Sequence, residues 1–271
     1  MLTDTMNTPS EPAHASGKSN QTVNVPKDIV PPPIGLTLKE VAAPLDWLGT
    51  LVSKPTLRKL PKGDQRPVLL APGFLTDSWS MRPLRDFLRR LNYVALDWEL
   101  GRNMGHVDDD IIKFGHQVGE LASATGEPVT LIGWSLGGTI SREVARFFPE
   151  CVREVITLGT PVTGGPKYTS VGARMAKIRN INLDALEQEV LERNRQGFEQ
   201  PVTVIYSKKD GVVSWKASID VYNAQAKHIK VNSTHLGIGV HADSWKAIAL
   251  ILAGQTERLP WQTGEQALQQ K

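Results

Sequence analysis

Cysteine is almost missing from this chain: Cys151 is the single thiol in 271 residues. One thiol makes neither an intramolecular disulfide nor a cysteine-ligated structural zinc site. A charge excess is missing too. Lys plus Arg number 31 against 28 for Asp plus Glu, a net of +3. Nucleic-acid binding calls for clustered basic stripes and a far larger imbalance, so no nucleic-acid partner is expected. Long apolar runs are also absent; no window approaches the roughly 18 uncharged apolar residues of a membrane span. The opening MLTDTMNTPS carries no basic n-region, and no apolar h-region follows. Together these absences lead us to expect a cytoplasmic protein. The apolar fraction is 40%, and the 23 glycines bring it near the globular average of about 45–50%. That is enough for one large core without staples.

Short β-branched runs punctuate the chain: Val68–Ala71, Tyr93–Leu96, Val129–Ile132, Val155–Leu158, Val202–Tyr206 and His228–Val231. Runs this short and this continuously apolar suit strands buried on both faces. Between them lie helical spacings, such as Leu84, Phe87, Leu88, Leu91, and Ile140, Val144, Phe147, Phe148. Ile248, Ile251 and Leu252 mark a last helix, and Asp108, Asp109 and Asp110 open another, where acids complement the helix dipole. Alternation of this kind predicts an α/β fold with a mostly parallel sheet of about six strands.

We expect a leader over 1–35, rich in Ser, Thr, Asn and Pro, a catalytic body over 36–256 and a loose polar tail over 257–271. Residues 161–200 contain no strand, and the usual connection is about 2–6 residues. Amphipathic spacing there predicts helices around 170–178 and 183–196. Such an insertion is either a lid over the sheet edge or an ordinary two-helix crossover. Tyr168, Met175 and Ile178 could present an apolar face to lipid.

The sharpest motif is Gly133-Trp134-Ser135-Leu136-Gly137, between a predicted strand and a predicted helix. As a bare pattern it is weak; its position gives it meaning. A serine in a tight strand-to-helix turn is strained, and glycines two residues to either side remove side chains that would clash. A serine needs a base, and the base needs an orienting group. In enzymes built on such a turn the acid and then the histidine follow later in the chain, on loops after strands. Asp210 follows the run ending at Tyr206, and His235 follows the run ending at Val231.

The rivals fit less well. His241 sits where the final helix begins, and His106 and His116 precede the serine. Asp220 and Asp243 fall on or beside predicted helices and read as solvated. Glu187, Glu189 and Glu192 read as a charged helix face. Two backbone N–H groups would receive the oxyanion, those of Leu136 and Phe74; a plain turn at Pro72-Gly73 is the alternative for the second. Phe74, Leu75, Trp134 and Trp215 are candidates to line a substrate cleft, with Trp98 as a further aromatic. Packing is the alternative for each aromatic.

At this point the stretches PVLLAPGF, ALDWELGRNMG, VTLIGWSLGG, VITLGTPVTGGP, VIYSKKDGVVSW and STHLGIG resemble, in order, the bacterial lipase and esterase branch of the α/β-hydrolase superfamily. The resemblance covers about residues 66 to 253. It implies an α/β-hydrolase fold and a carboxylic ester hydrolase, with Ser135 as nucleophile, Asp210 as acid and His235 as base. It also puts Gly101-Arg102-Asn103 and Thr160-Pro161 in loops near the site. No metal or organic cofactor is implied, and the substrate would be a small ester or a lipid, with possible interfacial contact. A thioesterase or acyltransferase is the alternative activity, and a catalytically silent lipid-binding protein the alternative class. One departure stands out: such enzymes usually read His-Gly where this chain has Pro72-Gly73, so a side-chain hydrogen bond shaping that loop is lost.

Overall fold

A computed structural model describes residues 25–269. Seven strands form one sheet: β1 (Pro67–Ala71), β2 (Val94–Asp97), β3 (Val129–Trp134), β4 (Val152–Leu158), β5 (Val202–Ser207), β6 (Lys227–Val231) and β7 (Trp261–Gln262). Their order is β2-β1-β3-β4-β5-β6-β7. Every pairing is parallel except the last, where β7 runs antiparallel to β6.

Before the sheet come helices α1 (Ile34–Lys39), α2 (Ala43–Val52) and α3 (Lys54–Leu57). Within it follow α4 (Ser78–Arg90), α5 (Val107–Thr125), α6 (Leu136–Phe147), α7 (Gly172–Arg179) and α8 (Leu183–Arg195). The short α9 (Trp215–Ser218), then α10 (Ala242–Leu252) and α11 (Gly264–Gln269), complete the set. None of the described helices is long and apolar enough to cross a membrane.

The continuous apolar runs work as expected, because a strand covered on both faces must be apolar at every position. Val68, Leu70, Ile132, Ile156 and Ile205 face a core closed by α4 and α10, where Phe87 stacks on Trp245 at 4.7 Å. Leu69, Ala71, Leu131 and Val155 point the other way, onto α5 and α6. Period-two alternation within each strand thus feeds two cores. The strand order reverses at β1, with β2 on one side and β3 on the other. The crevice beyond the carboxyl ends of β1 and β3 is therefore where such a sheet receives ligands.

Two expected boundaries move. Residues 1–24 of the expected leader lie outside the described residues, but its end takes part in the fold: Ile29 is buried with Val213 and Ala217, and α1 begins at Ile34. The expected loose tail also packs. Trp261 and Gln262 pair with Ile229 and His228 as a seventh strand, and Ala267 of α11 is buried. The reason is an open edge: β6 presents unpaired backbone groups that even a polar segment can satisfy. Composition does not register that demand. The helices expected in the insertion are present as α7 and α8.

Candidate functional site

Strand β3 is buried at every position and ends directly on Ser135, whose φ of 53° and ψ of −121° lie outside the regions that L-residues favour. The turn is held by Ser135 N–H donating to Leu158 O at 2.8 Å and Gly138 N–H donating to Ser135 O at 2.9 Å. A Cβ on Gly133 would stand 2.3 Å from Gly138 Cα, and one on Gly137 would stand 2.3 Å from Ala71 O. Neither position admits a side chain. Helix α6 starts at Leu136, so that amide belongs to a first turn whose N–H groups lack intrahelical acceptors.

Asp210 lies just beyond β5 and is buried. Its Oδ1 accepts from the amides of Val212 (2.9 Å) and Val213 (2.7 Å), leaving Oδ2 to His235 Nδ1 at 2.7 Å. His235 comes from the loop after β6 and is buried as well. With Nδ1–H donating to the carboxylate, a neutral ring carries its lone pair on Nε2, as a general base requires. Burial acts first on this imidazole and pushes its pKa down. The charge of Asp210, its hydrogen bond and the charge of Glu40 outweigh burial, so His235 titrates above its ordinary value.

Gly159 joins the pair to the serine turn. It follows Leu158, the acceptor of the Ser135 amide, and its φ is +53°. A Cβ there would lie 2.9 Å from Asp210 Oδ2 and 3.1 Å from His235 Nδ1. The Trp134 ring lies 6.0 Å from that of His235. Asp210 and His235, from two different loops, are thus in contact at the carboxyl edge of the sheet, and Gly159 and Trp134 tie them to the turn that carries Ser135.

The loop after β1 has an organiser that sequence reasoning did not identify. Asn103 is fully buried; its Nδ2 donates to Pro72 O (2.9 Å), its amide to Thr76 O (2.8 Å), and its carbonyl accepts from Leu75 N–H (2.8 Å). These bonds straddle Phe74 and hold Leu75 at φ 61°. They fix the loop without the histidine that Pro72 replaces. The resemblance had placed Asn103 nearby without a role. A Cβ on Gly73 would be 3.5 Å from Ser135 Cβ, so this loop lies against the serine turn. Arg179, the last residue of α7, reaches across it, donating to Met104 O at 2.6 Å with its guanidinium 5.3 Å from the Phe74 ring centre.

Other sequence candidates fall elsewhere. His241 caps α10 and accepts from the Asp243 amide at 3.2 Å, while His106 and His116 are exposed. Asp243 is exposed as expected, but Asp220 is not. It is 1% exposed and pairs with Arg142 at 2.6 Å. The expectation of a solvated Asp220 fails because its partner comes from α6, far off in sequence. Among the cleft candidates, Leu75 is 52% exposed beside Phe74, Trp134 is buried behind the serine turn, and Trp215 stacks on Tyr206 at 6.1 Å. Trp98 is a core residue whose Nε1–H donates to Gly101 O at 2.8 Å. Glu187 accepts from Tyr168 Oη and Lys167 Nζ inside the insertion. Among the described residues, no three His, Cys, Asp or Glu side chains are arranged to hold a metal ion.

The segment before the sheet supplies the other contribution missed in sequence. Glu40, 7% exposed, accepts at Oε1 from Gly211 N–H (2.7 Å) and His235 N–H (2.9 Å), and at Oε2 from Leu236 N–H (2.9 Å). Its targets are backbone amides, so no side-chain motif could reveal it.

Similarity to known proteins follows this geometry. No curated protein matches the sequence significantly. Among solved structures, a lipase of Bacillus licheniformis is 16% identical over 72% of this chain. Its propeptide form gives a TM-score of 0.54 with 51% of that chain covered, and its mature form 0.53 with 94% covered. A metagenome-derived lipolytic enzyme gives 0.56 at 16% identity, over 73% of this chain and 96% of its own. An alpha/beta hydrolase enzyme from the metagenome of lagoon sediments at Mar Chica, Morocco, gives 0.51 at 20% identity, over 73% and 93%. At such identities the likeness is one of fold. Residues 68–264 match the model of the alpha/beta hydrolase family, and the chain belongs to that family.

Proposed function

We propose that this protein is a serine hydrolase that cleaves carboxylic esters through an acyl-enzyme. The observation that carries the reading is the buried Asp210–His235 pair, 2.7 Å apart, set beside a serine in a strained turn. A structural turn has no use for both. In this reading His235 takes the proton of Ser135 as its Oγ attacks the ester carbonyl carbon. Asp210 holds the imidazole tautomer and stabilises the imidazolium that forms. The amides of Phe74 and Leu136 receive the negative oxygen; in other enzymes loss of one such donor costs about 2.7–4 kcal/mol. The alcohol leaves with the proton from His235. Water, deprotonated by the same ring, then releases the acid and restores Ser135.

Leu75 and Trp134 are proposed to border the acyl site, Leu75 from solvent and Trp134 from beneath; Trp215 contributes through packing. Lipases and lipolytic enzymes among the structural neighbours favour esters with an apolar acyl group. Wild-type protein should hydrolyse short p-nitrophenyl esters and be labelled at Ser135 by a fluorophosphonate. Ser135→Ala should lose both. Wild-type turnover by the folded Ser135→Ala protein would overturn the proposal, and transfer to an added alcohol in preference to water would turn it toward acyl transfer.

A further inference from the structure

The strap of residues 34–57 lies before the segment that matches the family, and its inner edge is fastened to the loops of the proposed acid and base. Four strap side chains do the fastening, one of them Thr50, whose Oγ1 donates to Val240 O at 2.5 Å in the loop that carries His235. Thr37 Oγ1 donates to Gly211 O at 2.8 Å. Glu40 accepts from Gly211, His235 and Leu236. Asp46 Oδ2 accepts from Ser233 Oγ (2.9 Å) and from Thr234 Oγ1 (3.0 Å). A buried carboxylate with three amide donors is well compensated, and it fixes the atoms it binds. Among the described strap residues, Glu40 is the one whose hydrogen bonds reach both loops, the one after Asp210 and the one carrying His235.

We propose that Glu40 is a positioning residue for the reaction: its carboxylate ties the Asp210 loop to the His235 loop and sets the angle at which the imidazole meets Ser135. This rests on the hydrolase reading above. The two charged groups that act on the His235 ring are Asp210, from the loop after β5, and Glu40, from the strap. Glu40→Gln keeps the shape and one oxygen acceptor but removes the charge and sets an amide N–H₂ against a backbone donor. Glu40→Ala removes the tie altogether. Misplacement by about 1 Å can cost about 10²-fold in rate. Glu40→Ala should therefore lower kcat by about 10- to 100-fold with KM little changed, and Glu40→Gln by less. In Glu40→Gln the acid limb of the kcat/KM profile should also move to lower pH, which loss of packing alone would not do. A folded Glu40→Gln enzyme with the wild-type kcat and an unmoved acid limb overturns the assignment. Failure of wild-type protein to react with fluorophosphonate would instead overturn the hydrolase reading itself.

A separate observation concerns the outer face of the same strap. Ile34, Leu38, Val41, Leu45, Leu48 and Val52 recur at helical spacing, and each is more than half exposed. Soluble surfaces rarely carry so long an apolar stripe. Glu40 and Asp46 are turned inward, so the described exposed charges over 34–62 are all positive: Lys39, Arg58, Lys59 and Lys62. Arg58, Lys62, Arg82 and Arg90 also line a groove of about 830 Å³ with Phe87 and Trp245; its one acid, Asp86, pairs with Arg82 at 3.7 Å, so the lining keeps a cationic excess. An apolar helix face bordered by cations is complementary to an anionic lipid surface. We infer that the strap docks on such a surface, which would present ester substrate to the adjoining site. Leu236, half exposed, adjoins the strap, since its amide donates to Glu40, and Leu75 in the Phe74 loop is half exposed as well.

Full-length Ser135→Ala protein allows docking to be read without turnover, so its outcome is independent of the catalytic reading. It should co-float with mixed phosphatidylcholine–phosphatidylglycerol vesicles, weaken with salt, and bind pure phosphatidylcholine poorly. Adding Leu38→Asp with Leu45→Asp, or Arg58→Glu with Lys62→Glu, should each lower partitioning by about tenfold or more. Absence of binding to the mixed vesicles, or unchanged binding by both pairs of variants, overturns the inference. So does a stable wild-type dimer that the Leu38 and Leu45 variants convert to monomer, since a second copy would then cover the stripe.

Discussion

Two aspartates ten residues apart are built alike and used differently. Asp210 spends Oδ1 on the amides of Val212 and Val213 and Oδ2 on His235. Asp220 spends Oδ1 on the amides of Tyr222 and Asn223 and Oδ2 on Arg142. Both are buried at 3% exposure or less. The carboxylates themselves do not separate a catalytic role from a structural one; their partners do. A guanidinium keeps its proton at any pH a protein tolerates, so an Asp–Arg pair holds structure and moves no proton. An imidazole gives and takes a proton near neutrality, so an Asp–His pair beside a serine turn can do chemistry.

The largest expected effect breaks the comparison at Asp210. Asp210→Asn preserves the shape but favours the wrong imidazole tautomer, and in a serine protease the equivalent change costs about 10⁴-fold in kcat. We expect a loss of that order with a nearly unchanged melting curve. Esterase assays beside calorimetry on the same preparation check both halves. A variant retaining more than about a tenth of wild-type kcat would remove Asp210 from the mechanism.

Asp220→Ala should do the reverse. It strands Arg142, which is 4% exposed and otherwise held by Asn194 Oδ1 at 3.3 Å and the Phe198 ring at 5.2 Å. Removing one partner of a buried ion pair costs about 3–5 kcal/mol. In a chain of this size that lowers Tm by roughly 6–20 °C. Activity per folded molecule should persist at low temperature. If Asp220→Ala abolished turnover with Tm intact, the division between the two aspartates would be wrong.

The same pair shows what the sequence could and could not reveal. The positions of Asp210 and His235 on loops after β5 and β6 were legible because each follows a β-branched run directly, and a strand end fixes where its loop emerges. Asp220 sits in an irregular stretch, and its partner lies 78 positions away, so only the folded chain shows it buried. Trp215 was ambiguous for a related reason: an aromatic after a strand can face a cleft or a neighbouring ring, and the structure shows it half-buried with its ring stacked on Tyr206. The first six strands and the helices of the insertion follow from periodicity; the order of the strands does not. The docking of the strap and the pairing of β7 do not, since what recruits them is largely backbone: amides near His235 for Glu40, and the open edge of β6 for Trp261.

The smallest expected effect is the one that sharpens the comparison most, because each aspartate also has a histidine and the two shift in opposite directions. His235 is raised: burial opposes its charge, but Asp210 and Glu40 outweigh burial. His228 accepts the Asp220 N–H at Nε2, at 3.0 Å, and its Nδ1 faces Gln262 O at 3.2 Å; burial pushes its pKa down. An unfolded histidine titrates near about 6.5. As pH falls, His235 gains its proton above that value, so the proposed base is lost first. This protonation favours the fold, since a raised group contributes stability that is complete below its unfolded pKa and lost on rising through its folded pKa. His228 resists protonation below about 6.5, and there the unfolded state binds the extra proton and stability declines. Activity should therefore fall on the acid side through a midpoint above about 6.5 while Tm holds or rises slightly, with Tm dropping only at lower pH. Paired kcat/KM and melting profiles between neutral and mildly acidic pH test the order. Simultaneous loss of activity and Tm, or an acid limb below the ordinary imidazole value, would mean that the two carboxylates do not divide chemistry from structure in this way.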